Sequence, residues 1–104
     1  MGTKLAADLK TFEKKVGDAA RLLKLVANEK RLLILCRLVG EKEMSVGALA
    51  EAVGLSQSAL SQHLAMMRDD GLVATRRDAQ TVFYSLADPN VARLLQLLKD
   101  IYCP

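Results

Sequence analysis

Proline and glycine are scarce in this sequence, at 2 and 6 of its 104 residues. Disordered tails are rich in such residues, so their scarcity argues against that class. Hydrophobic residues make up 51% of the chain and charged residues 26%, which is typical of a compact globular protein. Because this length suffices for one hydrophobic core, we expect a single domain over residues 1–104 and exclude a multidomain enzyme.

Long apolar runs are also missing. No stretch approaches the roughly 20 consecutive apolar residues that span a bilayer. The first residues alternate charge with leucine instead of forming the apolar block of a signal peptide. We therefore expect a cytoplasmic protein that has no membrane partner.

Charge of one sign does not dominate, since the net charge is only +3. Its distribution is uneven, because residues 1–39 hold nine Lys or Arg against four acidic residues and residues 40–104 hold six against eight. A basic N-terminal part permits nucleic-acid binding without requiring it.

Histidine and cysteine are too few for most metal and thiol chemistry. Cys36 and Cys103 lie 67 positions apart, which excludes a CxxC redox motif and a four-ligand zinc site. His63 is the single histidine, and we expect a packed helix residue or a phosphate contact. The sequence therefore predicts no metal site and no cofactor. Because no thiol-activating base is evident beside either cysteine, we do not expect an enzyme.

The two cysteines have different predicted surroundings. Cys36 lies in the run 32–39, which is apolar on nearly every side and predicts a central buried helix with an unreactive thiol. Cys103 is the penultimate residue, at the end of a predicted helix, where a partly exposed thiol can react. Spacing alone leaves a linked pair and two separate thiols equally open.

Apolar stripes near both ends of the chain predict amphipathic helices at about 5–26 and 89–103. The last helix has Asp88 as its predicted N-cap and Pro89 at its first position, and its broad stripe favours contact with a second subunit. The first stripe is compatible with packing on the domain's own core or with a dimer. Its members recur at steps of four and three residues: Leu5, Leu9, Phe12, Val16, Ala19 and Leu23.

The middle of the chain consists of short helices and turn signals. Residues 41–43 are expected to form a solvated turn, and the β-type runs 72–77 and 81–86 flank a polar turn and predict a hairpin. Three helices are predicted from their capping residues and their terminal glycines. The caps are Asn28, Ser45 and Ser56, and the glycines are Gly40, Gly54 and Gly71.

Residues 45–70 contain a helix-turn-helix signal. Ala50 lets two helices cross closely, Gly54 suits a turn with positive φ, and Leu55 fills the space between the helices. The predicted hairpin at about 72–86 follows directly and carries arginines before its tip. The predicted fold is therefore mainly α with a small β-hairpin wing, a winged helix-turn-helix.

The second helix of this motif has an outward face of neutral hydrogen-bonding side chains. Exposed helix faces usually carry Glu and Lys, so this composition favours reading of DNA base edges and phosphates over a merely solvated surface. Ser56 caps the helix at its N-terminus, which is itself an anion-binding position. The face consists of Gln57, Ser58, Ser61 and Gln62, opposite the inward-facing Leu60, Leu64 and Met67.

Four segments together resemble the ArsR/SmtB family of winged-helix repressors over nearly the whole chain: 27–32, 56–64, 70–73 and 80–84. The resemblance implies a homodimer that pairs through its first and last helices and binds a palindromic operator in double-stranded DNA. DNA contacts carried over from it fall on the recognition helix and on the wing. They are Ser56, Gln57, Ser58, Ser61, Gln62, Arg76, Arg77 and Gln80.

The surroundings of the cysteines resemble the thiol-based branch of that family, the BigR, SqrR and HlyU group. The matching segments are 34–38 and 101–103. The resemblance implies that reactive sulfur species or oxidants form a Cys36–Cys103 disulfide or polysulfide link, and that the reduced protein is the DNA-bound form. Metal sensing is not implied, because the chain has no Cys-x-Cys pair and has Asn90 where a histidine ligand is expected.

Three alternatives remain at this level. The chain could be a constitutive regulator or antirepressor with structural cysteines, a metal-responsive repressor of the same family, or a thiol enzyme. Unchanged operator affinity after oxidation would favour the first, and turnover of a sulfur donor or peroxide would favour the last.

Overall fold

The computed structural model describes residues 3–104, with side chains from residue 7 onward. These residues form six α-helices and one small antiparallel sheet, so the predicted fold class is confirmed. In chain order the elements are α1 (Thr3–Glu13), α2 (Val16–Val26), α3 (Glu29–Glu41), β1 (Glu43–Ser45), α4 (Val46–Val53), α5 (Gln57–Asp69), β2 (Val73–Asp78), β3 (Thr81–Leu86) and α6 (Pro89–Tyr102).

Four helices begin at the capping side chains that the sequence predicts. Each cap satisfies a backbone N–H that has no partner inside its helix. The cap oxygens accept from N–H groups at 2.9 to 3.2 Å, in the pairs Asn28–Arg31, Ser45–Ala48, Ser56–Ala59 and Asp88–Asn90.

The prediction of one helix over residues 5–26 is wrong, because the chain turns between α1 and α2. The N–H groups of Lys14 and Lys15 bond to carbonyls three residues back, which tightens and ends α1. The Thr11 hydroxyl also donates to the Ala7 carbonyl at 3.1 Å, a back-bond that bends helices. The side chain of Leu5, which begins the predicted stripe, lies outside the described side chains.

The sheet has the strand order β1-β3-β2, and both pairings are antiparallel. β2 and β3 form the predicted hairpin, but the exposed turn expected at residues 41–43 is shorter and is confined to Lys42. Instead α3 continues past Gly40 to Glu41, Lys42 turns the chain with φ 66°, and Glu43 starts β1. β1 is therefore a third strand of the sheet, and it pairs with the edge of β3 that β2 leaves free.

A single buried cluster joins α2 to α6 and the sheet. Ile34, Leu35 and Leu38 of α3 contribute one face of it, and Val91 and Leu95 of α6 close it. The inward face of α5 is as predicted, since Leu60, Leu64 and Met67 are fully buried.

Large apolar side chains remain on the surface of α1, α2 and α6. In α1 every described side chain is exposed, and the apolar residues at the end of α6 are more than half exposed. The exposed members of the two stripes for which the sequence suggests a second subunit are Leu9, Phe12, Val16, Leu23, Ile101 and Tyr102. Most of the predicted stripe of α6 packs in or against the core instead, and Leu97 is exposed outside it.

Candidate nucleic-acid interface and cysteine cleft

The outer face of α5 has the composition and exposure of a DNA-reading surface. Its first residues follow the Ser56 cap, so the N-terminal backbone N–H groups point towards solvent with a partial positive charge. From residue 56 to residue 67 the chain has no Lys, Arg, Asp or Glu. The four side chains predicted to contact bases or phosphates, Gln57, Ser58, Ser61 and Gln62, are all exposed.

The turn between α4 and α5 depends on Gly54. This residue has the left-handed backbone φ 69° and ψ 40°, which a side chain would strain. Lys30, from the first turn of α3, donates from Nζ to the Val53 carbonyl at 2.8 Å. A cation at this position also stabilises the negative end of the α4 dipole. Lys30 thus attaches the turn of the helix-turn-helix to α3.

The next residue of α3, Arg31, attaches α5. Its Nε donates to His63 Nδ1 at 3.1 Å, and its Nη1 donates to the Leu25 carbonyl at 3.0 Å. Burial and the neighbouring Arg31 charge lower the pKa of His63, so the neutral imidazole that accepts this hydrogen bond is the stable form. The expectation that His63 is a packed, hydrogen-bonded helix residue agrees with these contacts.

The far end of α5 is tied to α2 by an ion pair. Arg21 donates from Nε and Nη2 to the two carboxylate oxygens of Asp70, at 2.9 and 2.7 Å. This bidentate hydrogen bonding lowers the pKa of Asp70. Asp70 lies at the C-cap of α5, so this helix has a polar contact with α3 near its middle and one with α2 at its C-terminal end.

In the wing, Arg76 braces the sheet. Its guanidinium lies 4.7 Å from the centre of the Phe83 ring, and it donates two hydrogen bonds to the Glu43 carboxylate at 2.7 and 3.0 Å. Phe83 lies on β3 between the strands that carry the two ions, so the pair crosses the middle strand. The DNA contact predicted for Arg76 is untested and stays a prediction, and its positive charge is already paired.

Arg77 and the tip of the wing face solvent. Successive residues of a strand point to opposite faces, so Arg77 projects away from the face on which Arg76 meets Phe83. The hairpin turns at Ala79 and Gln80, where Ala79 adopts φ 54°. Arg77 and Gln80 are exposed, as a contact with a DNA backbone requires.

Both cysteines line one cleft between α3 and α6. The cleft has a volume of about 730 Å³, and its walls are mainly apolar. Leu32 and Val39 contribute from α3, and Leu95 and Leu98 contribute from α6. The fold therefore brings to one place two thiols that are 67 positions apart in the sequence.

The prediction that Cys36 is a buried core residue is wrong. Both thiols are free and exposed. The helix α3 turns Ile34, Leu35 and Leu38 into the core, so the side chain of Cys36 projects from the opposite side into the cleft. An exposed thiol is open to oxidants and sulfur donors, which a buried one is not.

Within residues 3–104, no group of three or more His, Cys, Asp or Glu side chains is arranged to hold a metal ion. No helix in this range is long and apolar enough to cross a membrane.

Three contacts of this surface escape sequence reasoning: Lys30 with Val53, Arg31 with His63, and Glu43 with Arg76. The partners are 23 to 33 positions apart and have no periodic pattern. Only the position of Lys30 and Arg31 directly after a predicted N-cap offered a signal, since it places them at the start of a central helix.

A recognition helix docked on a second helix and followed by a hairpin defines the class of winged helix-turn-helix DNA-binding proteins. Comparison with known proteins gives the family. A model described as "Bacterial regulatory protein, arsR family" matches residues 28–75. The transcriptional activator HlyU of Vibrio cholerae is 53% identical over 96 residues, which cover 92% of this chain and 88% of that protein.

Two solved structures extend the likeness to the whole fold. Reduced HlyU from Vibrio cholerae superposes with a TM-score of 0.83 at 53% identity, covering 91% of this chain and 99% of that chain. The transcriptional repressor BigR from Xylella fastidiosa gives a TM-score of 0.85 at 39% identity, covering 91% of this chain and 96% of that chain. The chain therefore belongs to the ArsR family, and it is a DNA-binding transcriptional regulator of the HlyU and BigR branch. The relatives are named as regulators, so the prediction that the chain is not an enzyme is confirmed.

Proposed function

We propose that this chain is a cytoplasmic homodimeric repressor that releases its palindromic operator when a disulfide or polysulfide link joins Cys36 to Cys103. Reactive sulfur species or oxidants are the signal in this proposal. The observation that supports it most strongly is the shared cleft, in which two exposed thiols from α3 and α6 face the same space.

The chemistry needs only thiol exchange. With a disulfide donor, the Cys36 thiolate attacks one donor sulfur and expels a thiolate. The Cys103 thiolate then attacks the Cys36 sulfur of the mixed disulfide and expels the second donor thiolate. The two protein thiols lose two electrons, the donor disulfide gains them, and the two thiol protons go to the released thiolates.

With a persulfide donor the product is longer. Two persulfides and the two cysteine thiols give a trisulfide between Cys36 and Cys103, two donor thiols and one hydrogen sulfide. One donor supplies the bridging sulfur and the other accepts two electrons and two protons. A bridging sulfur lets the link span a wider gap than the roughly 7 Å between Cα atoms that a disulfide tolerates.

Operator reading in this proposal belongs to α5 and the wing. The outer face of α5 enters the major groove with Gln57, Ser58, Ser61 and Gln62, and its Ser56-capped N-terminus approaches a phosphate. Arg77 and Gln80 of the wing contact the adjacent backbone, together with Arg76 where its pairing with Glu43 allows. The dimer holds its two α5 helices about 34 Å apart, one turn of DNA.

The link affects DNA binding because α6 belongs to both sites. One side of α6 lines the thiol cleft, and its last turn exposes Ile101 and Tyr102 in the manner of a dimer surface. A covalent tie from α3 to α6 favours dimer arrangements in which the two α5 helices fit successive grooves less well. Coupling of about 1 to 3 kcal/mol, usual between two sites, weakens operator binding by about 5- to 150-fold.

The test compares operator affinity before and after treatment with an organic persulfide, at fixed salt. The probe is the tightest duplex selected from a random library by the reduced chain. We expect operator affinity to fall by about 5- to 150-fold. The mass of the chain should change by about −2 Da for a disulfide or about +30 Da for a trisulfide. Cys36→Ser and Cys103→Ser should each bind as reduced wild type and resist release.

Two outcomes would overturn the switch. Release that persists in either serine variant would exclude the link, and unchanged affinity in a protein whose mass shows the link would exclude its effect on DNA. The second outcome would leave a constitutive regulator.

The direction of regulation needs its own measurement, because the HlyU relative is named an activator and the BigR relative a repressor. A reporter gene downstream of the selected operator should be expressed more strongly when the chain is deleted. Weaker expression after deletion would establish activation.

A further inference from the structure

The guanidinium of Arg31 is held at three atoms by two different parts of the fold. Besides His63 Nδ1 and the Leu25 carbonyl, it contacts the Met66 sulfur, at 3.2 Å from Nη2. His63 and Met66 belong to α5, and Leu25 lies in the last turn of α2. The backbone N–H of Arg31 is fixed as well, since it donates to the Asn28 cap at 3.1 Å.

These contacts are directional, whereas the buried side chains of α5 are all apolar. The other directional contact, between Arg21 and Asp70, lies beyond the last residue of α5. Leu60, Leu64 and Met67 set the depth of α5 in the core, but apolar packing restrains rotation about the helix axis only through side-chain shape. A hydrogen bond weakens steeply when its angle departs from linear. His63 is adjacent to Gln62, so the bond that fixes the imidazole also fixes the direction of the outer face.

We propose that Arg31 is a positioning residue for DNA recognition: through its hydrogen bond to His63 it sets the rotation of α5 that aims Ser58, Ser61 and Gln62 at the base edges. The proposal rests on α5 being the operator-reading helix, as in the proposed function, but it does not depend on the thiol switch.

Arg31 does this from inside the domain and not as a contact of DNA itself. The side chain is partly buried, and each of its three nitrogen atoms donates to a protein acceptor. The imidazole must present a lone pair at Nδ1, which places its proton on Nε2. The lowered pKa of His63 keeps the neutral imidazole dominant at neutral pH, and the hydrogen bond from Arg31 selects the tautomer.

The test measures two affinities for each variant of the reduced protein. One is for the library-selected duplex, and the other is for a scrambled duplex of the same length and composition. Arg31→Lys keeps the charge but cannot hold three acceptors in a fixed fork. We expect about tenfold weaker binding to the selected duplex and less than about twofold change on the scrambled one. Arg37→Lys, at an exposed position of the same helix, should change neither.

A second pair of variants tests the partner. In His63→Asn the amide oxygen can take the place of Nδ1 as acceptor, so selected-duplex affinity should stay within about threefold of wild type. His63→Ala removes the acceptor and should match Arg31→Lys. Nitrogen chemical shifts of the imidazole in the wild type should report the Nε2–H tautomer, and Arg31→Lys should shift the Nδ1 signal.

Equal losses on both duplexes for Arg31→Lys would overturn the proposal, and a salt slope reduced by about 0.9 in Arg31→Gln would make Arg31 a phosphate contact. Unchanged selected-duplex affinity would also overturn it. If Arg31→Lys does not fold, the two His63 variants test the proposal on their own. Equal operator affinities of His63→Asn and His63→Ala would contradict it, because only asparagine retains an acceptor for Arg31. Gln62→Ala tests the recognition helix separately, because unchanged affinity there refutes the assignment of α5 and not the contact of Arg31.

Discussion

Ile101→Ala should weaken the proposed dimer strongly while leaving the fold of each subunit intact. Ile101 is 57% exposed near the end of α6, and Leu97 lies one turn before it on the same face with 55% exposure. Neither side chain is in the buried core, so its loss leaves little cavity in the subunit. In the dimer, however, this face is expected to be covered.

The size of the effect follows from the exposed fraction. Full burial of an isoleucine side chain stabilises by about 1.5 to 3 kcal/mol, and a little over half of that remains available at Ile101. This gives about 0.9 to 1.7 kcal/mol per side chain. A two-fold symmetric interface contains each residue twice, so the dimer loses about 1.7 to 3.4 kcal/mol. The alanine methyl retains part of it, and we expect the dissociation constant to rise about 10- to 100-fold.

Sedimentation equilibrium of the reduced protein over a concentration series measures this constant. Met66→Ala is the matched control for a half-exposed apolar side chain, because Met66 is 48% exposed and lies on α5, outside the helices α1, α2 and α6. The control should leave the constant within about twofold of wild type. Equal weakening by both variants, an unchanged constant in Ile101→Ala, or a wild-type chain that stays monomeric would refute the assignment of α6 to the interface.

Three further predictions concern the core, the histidine and the wing. Leu64→Ala should lower the free energy of unfolding, measured in urea, by about 2 to 5 kcal/mol because Leu64 is fully buried. Ser61→Ala, on the exposed face of the same helix, should change it by less than about 0.5 kcal/mol. Similar values for the two variants would contradict the orientation of α5. Folding lowers the pKa of His63 below 6.5, so the unfolded chain binds the proton more readily than the folded protein. The contribution of His63 to the free energy of unfolding is therefore complete above pH 6.5 and declines as pH falls through the folded pKa. This pH dependence of the free energy of unfolding should be absent in His63→Asn. Arg77→Gln should reduce the salt slope of DNA binding by about 0.9. Arg76→Gln should reduce this slope less, because Arg76 is paired with Glu43. A larger reduction for Arg76→Gln than for Arg77→Gln would show that the ion pair opens on DNA.

The local signals of this sequence proved the most informative. All four predicted capping side chains accept the expected hydrogen bonds, because a cap depends on residues within three positions of it. Gly54 adopts the predicted positive φ for the same reason. The outer face of α5 is also exposed as predicted, since its periodicity follows from the inward positions of the same helix.

What the sequence does not reveal depends on contacts between distant segments. β1 has only three residues, too few for an alternating pattern to be recognised, and it pairs with the edge of β3 that β2 leaves free. The break between α1 and α2 falls inside an unbroken apolar stripe, at the tightened backbone bonds of Lys14 and Lys15, and the periodicity gives no sign of it. The contacts of Arg31 likewise require α2, α3 and α5 to be already assembled.

The misjudged burial of Cys36 has an instructive cause. A run that is apolar on nearly every side predicts a helix surrounded by core, yet α3 buries only the face that contains Ile34, Leu35 and Leu38. Its opposite face, with Leu33 and Val39, is exposed beside the thiol cleft. An all-round apolar helix in a small chain therefore has two explanations, a central position or a second face kept for another purpose. Here the second face contains one of the two thiols of the cleft, so its apolar side chains line the site of the proposed switch and do not complete a core.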